Sequence, residues 1–245
     1  DVAALDRMLG GQIVAAIAVG DCKGEEHTTL TLYTAGKISA SRVLLVGTGK
    51  RKDVTALEWQ HIVGAAARTL QQMRVTRWAL YVPQQYRARL KPIDLGALTA
   101  KGVLVSTYHF ADYKSDPKAK LPMPQDITVG PLTPAQQKQF GSGVAEGTVI
   151  GEAMNWMRRF GDMPSSDATP TYLAEQARAL AKTDKRFTGS LHPAPAQGRR
   201  QQRQRPRVAV NGVNQLLDLV TRGIARSAGV PGGGDKSTSR LLQLY

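Results

Sequence analysis

The sequence predicts an α/β fold, and three observations predict it. Residues 42–47, Arg-Val-Leu-Leu-Val-Gly, form a short aliphatic, β-branched run ended by glycine and read as a buried strand. Residues 78–82, Trp-Ala-Leu-Tyr-Val, form a second such run, stopped by Pro83. A helical pattern lies between them. Strand, helix and strand within about 40 residues make a βαβ unit, which implies at least some parallel pairing.

The intervening helix signals both its start and its face. Thr55-x-x-Glu58 is a capping box, in which the threonine hydroxyl and the glutamate carboxylate satisfy each other's free backbone N–H. Leu57, Val63, Ala66, Ala67, Leu70 and Met73 then recur at helical spacing. A further helix is expected over residues 95–110, with Leu98, Gly102, Val105 and His109 on one side. Residues 116–124 form a Lys/Pro-rich surface loop, and residues 127–129 a short strand. Thr133-Pro134-Ala135-Gln136 is a strong helix start, with threonine at the N-cap, proline at N1 and glutamine at N3. That helix runs to Phe160, and Gly161 ends it. Gly143, Gly147 and Gly151 fall every four residues on one of its faces. Glycine there costs helix propensity, so the face is expected to admit a close neighbour. Glu146 and Glu152 argue against a membrane dimer motif. Thr169-Pro170 opens another helix, with Leu173, Ala177 and Leu180 as its apolar stripe. Val213, Leu216, Leu217, Val220 and Ile224 mark a short amphipathic helix, and residues 241–245 a final strand.

Composition narrows the class. The 245 residues are 42% hydrophobic, which suits a globular chain of one large domain or two small ones. The single cysteine, Cys22, excludes an intramolecular disulfide framework and a multi-cysteine metal site. It reads as a small buried residue, because no base that could activate a thiol is identifiable. The longest apolar run, residues 13–19, falls far short of the roughly 20 residues of a membrane span. No signal-peptide pattern opens the chain, which begins at Asp1 rather than Met, so an upstream piece is expected. A cytoplasmic protein without a membrane partner is the expectation.

The formal net charge of +14 is unevenly placed. Residues 189–245 hold 9 Lys/Arg and 2 Asp/Glu, and the remaining 188 residues hold 24 and 17, so each part contributes +7. Residues 198–207 read Gly-Arg-Arg-Gln-Gln-Arg-Gln-Arg-Pro-Arg, with nothing apolar but proline to anchor them to a core. Arg199, Arg200, Arg203, Arg205 and Arg207 are therefore candidate phosphate contacts, which would bind nucleic acid with a strong salt dependence. A solvated linker is the competing reading, since no aromatic residue in the tract can stack on bases.

Other motifs fall short of chemistry. Gly47-Thr48-Gly49-Lys50 sits between strand and helix, where phosphate loops occur, but it lacks the Walker spacing and the third glycine of the dinucleotide fingerprint. It reads as a strand-end turn. In Gly232-Gly233-Gly234-Asp235-Lys236 a carboxylate stands where phosphate would sit, and it would repel it. His27, His61, His109 and His192 show no His-Glu-x-x-His, and no pairing with a second histidine or a carboxylate at metal-ligating helical spacing. They read as structural or exposed. No catalytic residue and no metal ligand is assigned.

Residues 155–181 read Asn-Trp-Met-Arg-Arg-Phe-Gly-Asp-Met-Pro-Ser-Ser-Asp-Ala-Thr-Pro-Thr-Tyr-Leu-Ala-Glu-Gln-Ala-Arg-Ala-Leu-Ala. This segment resembles the domain junction of the leucyl aminopeptidase (cytosol aminopeptidase) family, with its Arg-Asp-Leu-x-Asn-x-Pro-x-Asn followed by Thr-Pro-x-x-Leu-Ala-x-x-Ala. Upstream pieces agree in order: Leu5-Asp6 with Gly10-Gly11, Gly20-Asp21-Cys22-Lys23-Gly24, residues 42–50 before a helix, Gly102 through Tyr113-Lys114-Ser115, and Glu146-Gly147 through Asn155. The likeness spans residues 1–188. Residues 190–230 fit poorly, and Arg240-Leu241-Leu242-Gln243-Leu244-Tyr245 is similar again. Phe160-Gly161-Asp162 and Ser166 depart from the junction pattern.

The resemblance implies a macro-domain-like N-terminal α/β domain over residues 1–132, its mixed sheet flanked by helices. A linker helix over 133–160 would follow, then the incomplete start of an α/β catalytic domain over 161–245 with a basic irregular segment at 190–212. It implies a cytoplasmic hexamer that removes N-terminal residues from peptides with two divalent metals, zinc, manganese or magnesium. The family's metal and catalytic residues lie in Lys-Gly-x-x-Phe-Asp-x-Gly-Gly and Asn-Thr-Asp-Ala-Glu-Gly-Arg segments, and neither occurs in this sequence. None is therefore transferred. The expectation is an aminopeptidase portion that is inactive alone, its peptide substrate bound through the missing catalytic half. A nucleic-acid-binding or structural module derived from the family is the alternative.

Overall fold

The computed structural model describes residues 2–50 and 55–183. The chain divides into two compact units, Asp1–Gly151 and Glu152–Tyr245. In chain order the elements are α1 (Val2–Leu9), α2 (Gln12–Ala18), β1 (Thr29–Tyr33), β2 (Arg42–Val46), α3 (Ala56–Gln72), β3 (Arg77–Tyr81), α4 (Gln84–Arg89), α5 (Pro92–Thr107), β4 (Asp126–Gly130), α6 (Pro134–Asp162) and α7 (Pro170–Thr183). The mixed α/β class stands.

The strands pair differently from the βαβ expectation. β2 and β3, which flank α3, are not neighbours. β2 pairs antiparallel with β1, Thr29 opposite Val46, while β3 pairs in parallel with β4, Arg77 opposite Asp126. The parallel crossover therefore runs through α4 and α5. β1 escapes a reading by apolar runs because Thr29-Leu30-Thr31-Leu32-Tyr33 alternates hydroxyl and aliphatic side chains. Helices α1 and α2 are further elements beyond those expected from the sequence. Asp6 joins them: its Oδ1 accepts from the N–H of Ile13 at 2.8 Å, capping α2 from within α1.

The core of the first unit lies between α3 and α5. Trp59, Ile62, Val63 and Ala67 of α3 meet Val82, Tyr86, Leu95, Leu98 and Val103, with Phe140 of α6 joining. Two buried polar side chains of α3 pair with α5. Trp59 Nε1 donates to Thr99 Oγ1 at 3.0 Å, and Gln71 Nε2 donates to the Thr107 carbonyl at 2.9 Å. The observed α3 face differs from the expected stripe in one respect. Leu57, in the first turn, is 48% exposed, and Trp59 and Ile62 take its place. α5 starts three residues earlier and ends three earlier than expected, because Pro92 fits its first turn. His109 falls beyond its end and is exposed.

The glycine face of α6 does admit a close neighbour. A Cβ on Gly147 would overlap the backbone of Ala97, and one on Gly143 would overlap the Ile93 carbonyl. Gly96 of α5 answers from the other side, against the Phe140 carbonyl. α5 and α6 thus lie backbone against backbone.

In the second unit, Gly161 does not stop α6. The helix continues to Asp162, and Met163 N–H closes the last turn on the Arg159 carbonyl at 3.0 Å. Glycine can end a helix but need not, since it costs only about 1 kcal/mol inside one. Trp156, Phe160 and Tyr172 form an edge-to-face series with centroids 4.5 and 6.1 Å apart. Thr169 caps α7 as expected, accepting from Tyr172 N–H at 3.2 Å. Leu173 of the expected stripe is instead 39% exposed. No helix among the described residues is long and apolar enough to cross a membrane. The arginine tract, the glycine-rich 232–234 segment, the helix expected at 213–224 and the strand at 241–245 lie outside the described residues.

Candidate functional site

A cluster of polar side chains gathers at the N-terminal end of α3. Two backbone devices place it. The segment after β2 is laced to the segment before β1: His27 N–H donates to the Gly47 carbonyl at 3.0 Å, Gly47 N–H to Thr28 at 2.8 Å, and Gly49 N–H to Gly24 at 3.0 Å. Glycine is required at position 47, where a Cβ would overlap the Glu25 carbonyl. Gly47-Thr48-Gly49-Lys50 is thus an irregular segment tied to residues 24–28 rather than the expected strand-end turn. The lacing carries His27 to the start of α3 with a φ of 62°, a left-handed conformation that few non-glycine residues adopt.

The second device is the helix itself. Glu58 and His61 are three residues apart on α3, hence on one face. His27 Nε2 lies 3.2 Å from Glu58 Oε1, and the His27 and His61 rings meet edge to face with centroids 5.5 Å apart. One ligating atom from each of His27, Glu58 and His61 lies within 4.8 Å of the others. Both imidazoles are exposed, while the Glu58 side chain is only 13% exposed.

The expected capping box at α3 forms only in half. Thr55 Oγ1 accepts from Glu58 N–H at 3.1 Å, but the Glu58 carboxylate makes no return bond to Thr55 N–H. Its Oε1 is buried without a hydrogen-bond partner among the described residues. The approach to His27 is close in distance yet not directed as a hydrogen bond. Tyr86, fully buried beneath, likewise has an unpartnered hydroxyl. Burial, followed by the negative charges of Glu58 and Glu26, pushes its phenol up to about 12.

The expectation that no histidine pairs with a carboxylate at helical spacing is corrected here for His61. Glu58-x-x-His61 places a carboxylate and an imidazole at helical spacing, which is the sequence signal for this pair. The third member, His27, comes from a loop and carries no local signal. His109 stands apart, its Nε2 3.0 Å from the Ala119 carbonyl. Cys22 is half-buried rather than buried. His192, Arg199, Arg200, Arg203, Arg205 and Arg207 lie outside the described residues.

Comparison with known proteins places this fold. Residues 1–117 match the N-terminal domain of the cytosol aminopeptidase family. A probable cytosol aminopeptidase of Alkalilimnicola ehrlichii is 32% identical over 182 residues, 73% of this chain and 36% of that protein. One of Halorhodospira halophila is 32% identical over 187 residues, 76% of this chain and 37% of that protein. The chain therefore belongs to the cytosol aminopeptidase family, through its N-terminal domain. It spans little more than a third of the length of these relatives. Among solved structures, a mutant of tomato leucine aminopeptidase aligns with a TM-score of 0.61 at 20% identity, over 74% of this chain and 34% of that one. The bottromycin maturation enzyme BotP in complex with Mn aligns with a TM-score of 0.51 at 22% identity, over 65% of this chain and 31% of that one. At these identities the likeness is one of fold.

The two-metal centre that the resemblance implies does not fit the described residues. A bridged pair of ions needs more ligands than the three that His27, Glu58 and His61 provide.

Proposed function

We propose that this chain is the N-terminal, non-catalytic portion of a leucyl aminopeptidase-like metalloexopeptidase, a cytoplasmic hexamer that removes N-terminal amino acids from peptides. The match of residues 1–117 to the N-terminal domain of the family carries this reading. The absence from the sequence of both segments that hold the family's metals supports the inactivity of the chain alone. Catalysis and the two divalent ions would belong to a catalytic half, and peptide would bind there. The test is hydrolysis of leucine p-nitroanilide with added manganese. The purified chain is expected to show no turnover above buffer, whereas the protein carrying this domain, purified from its source, is expected to be active and to lose activity on chelation. Robust turnover by the chain alone would sink the inactivity claim.

One observation favours a second role. Five arginines within the nine residues from Arg199 to Arg207 would neutralise several phosphates, as in a nucleic-acid-binding or structural module derived from the family. Mobility shifts over a salt series decide this. Replacing Arg199, Arg200, Arg203, Arg205 and Arg207 together should weaken binding and flatten its salt dependence, and unchanged affinity removes the tract as the contact.

A further inference from the structure

We propose that His27, Glu58 and His61 form a binding site for one transition-metal ion of the zinc type. Two imidazoles and one carboxylate are a donor set that suits zinc and its neighbours, while calcium and magnesium prefer oxygen ligands throughout. Three protein ligands leave a fourth position for water, and the exposure of both imidazoles puts that position toward solvent.

The geometry favours a metal over a simple ion pair. Ligands about 2.0–2.1 Å from a tetrahedral zinc stand roughly 3.4 Å from each other. His27 Nε2 and Glu58 Oε1 are 3.2 Å apart without being aligned for a hydrogen bond, as two atoms directed at a common third point would be. All three ligating atoms lie within 4.8 Å of one another, and both imidazoles are exposed. Glu58 has also left its capping bond unmade, and its inner oxygen has no other partner among the described residues. His27 is held at a φ of 62°, a conformation that persists only where the surroundings over-determine it. Here the surroundings are the hydrogen bonds that tie residues 24–28 to Gly47 and Gly49. An ion bound by the three side chains would clip that loop to the first turns of α3.

The inference does not depend on peptidase activity and is read by metal binding. The full chain, stripped with EDTA, is titrated with zinc against a chromophoric chelator, and with cobalt while the visible spectrum is followed. One ion per chain is expected, with the cobalt bands of a low-coordinate nitrogen–oxygen site. Outer-shell partners alone are worth about 10–100-fold in affinity, so Glu58→Gln, His61→Ala and His27→Ala should each lose at least that much. His109→Ala and His192→Ala should bind as the parent does. Glu58→Gln keeps the Thr55 cap, which uses only the backbone N–H of residue 58, and circular dichroism of each variant in EDTA shows that the fold is intact. Absence of binding by the parent chain, affinity unchanged in the three ligand variants, or an equal loss in His192→Ala would each overturn the proposal.

Discussion

At the start of α6, Thr133 and Gln136 exchange hydrogen bonds in both directions. Gln136 N–H donates to Thr133 Oγ1 at 3.4 Å, and Thr133 N–H donates to Gln136 Oε1 at 2.9 Å. At the start of α3, Thr55 and Glu58 stand in the same relation, yet only the bond from Glu58 N–H to Thr55 Oγ1 is made. The residue at the fourth position accounts for the difference. A glutamine amide is neutral and solvated, so the nearest free N–H is its best partner. The Glu58 carboxylate instead lies 3.2 Å from His27 Nε2, in a cluster with His61. The same capping pattern thus yields a finished cap where nothing competes, and a chemical cluster where the fold brings basic side chains alongside.

The two helices also differ in what holds them, and the largest effect is expected there. α6 is held by backbone-to-backbone approach at Gly143 and Gly147. Gly147→Val should cost about 3 kcal/mol or more, because neither Ala97 nor its helix can yield without losing buried contacts. Gly141→Ala, with open space around its Cβ, should be neutral or stabilising by up to about 1 kcal/mol. Urea unfolding of the two variants checks the contrast, and equal destabilisation would mean that the helices do not meet along this face.

The next effect belongs to the α3 end. The Tyr86 phenol is raised to about 12 in the folded protein, against about 10 when unfolded. A group whose folded pKa is raised contributes stability that is fully present below its unfolded pKa. That stability, about 2–3 kcal/mol here, is lost as pH rises from 10 through 12. Tyr86→Phe should remove this alkaline loss. At neutral pH it should stabilise by about 1 kcal/mol, since it also removes a buried hydroxyl without a partner. Unfolding curves at pH 8 and pH 11 measure both quantities, and an identical pH dependence in the variant would refute the assignment.

A smaller effect tests what the two starts share. Thr55→Ala and Thr133→Ala each remove a hydroxyl that accepts the N–H of the residue three positions on. Each should cost about 1 kcal/mol. A Thr55 cost several times larger would show that the cluster, and not the cap, depends on that side chain.

These contrasts also mark what the sequence disclosed. α3, α5, α6, α7 and strands β2 to β4 were legible, because periodicity and caps are local signals. The close approach behind Gly143 and Gly147 was legible for the same reason. Pairing was not: β1 alternates threonine with leucine, and nothing local told β2 to pair with it rather than with β3. The site was half legible. Glu58 and His61 share a helix face, and Glu58-x-x-His61 is a local pattern, with Glu58 also fitting the capping box. His27 is placed by the hydrogen bond its N–H donates to the carbonyl of Gly47, twenty residues away in the chain.

The smallest effect separates the two fourth-position side chains themselves. Gln136→Ala removes a bond that Thr133 N–H cannot replace except with water, and should cost about 0.5 kcal/mol. Glu58→Ala in EDTA sacrifices no capping bond. It loses the attraction of a carboxylate to the helix N-terminus, worth about 0.3–1 kcal/mol. It also relieves a buried carboxylate oxygen with no hydrogen-bond partner among the described residues. The two terms oppose, so the metal-free variant should unfold within about 0.5 kcal/mol of the parent. With saturating zinc the parent alone should gain stability, since a ligand that binds only the folded state shifts unfolding by mass action. Thermal melts with EDTA and with zinc compare the four combinations. If Glu58→Ala is clearly the more damaging change even in EDTA, the attraction between Glu58 and the two histidines stabilises the fold by itself.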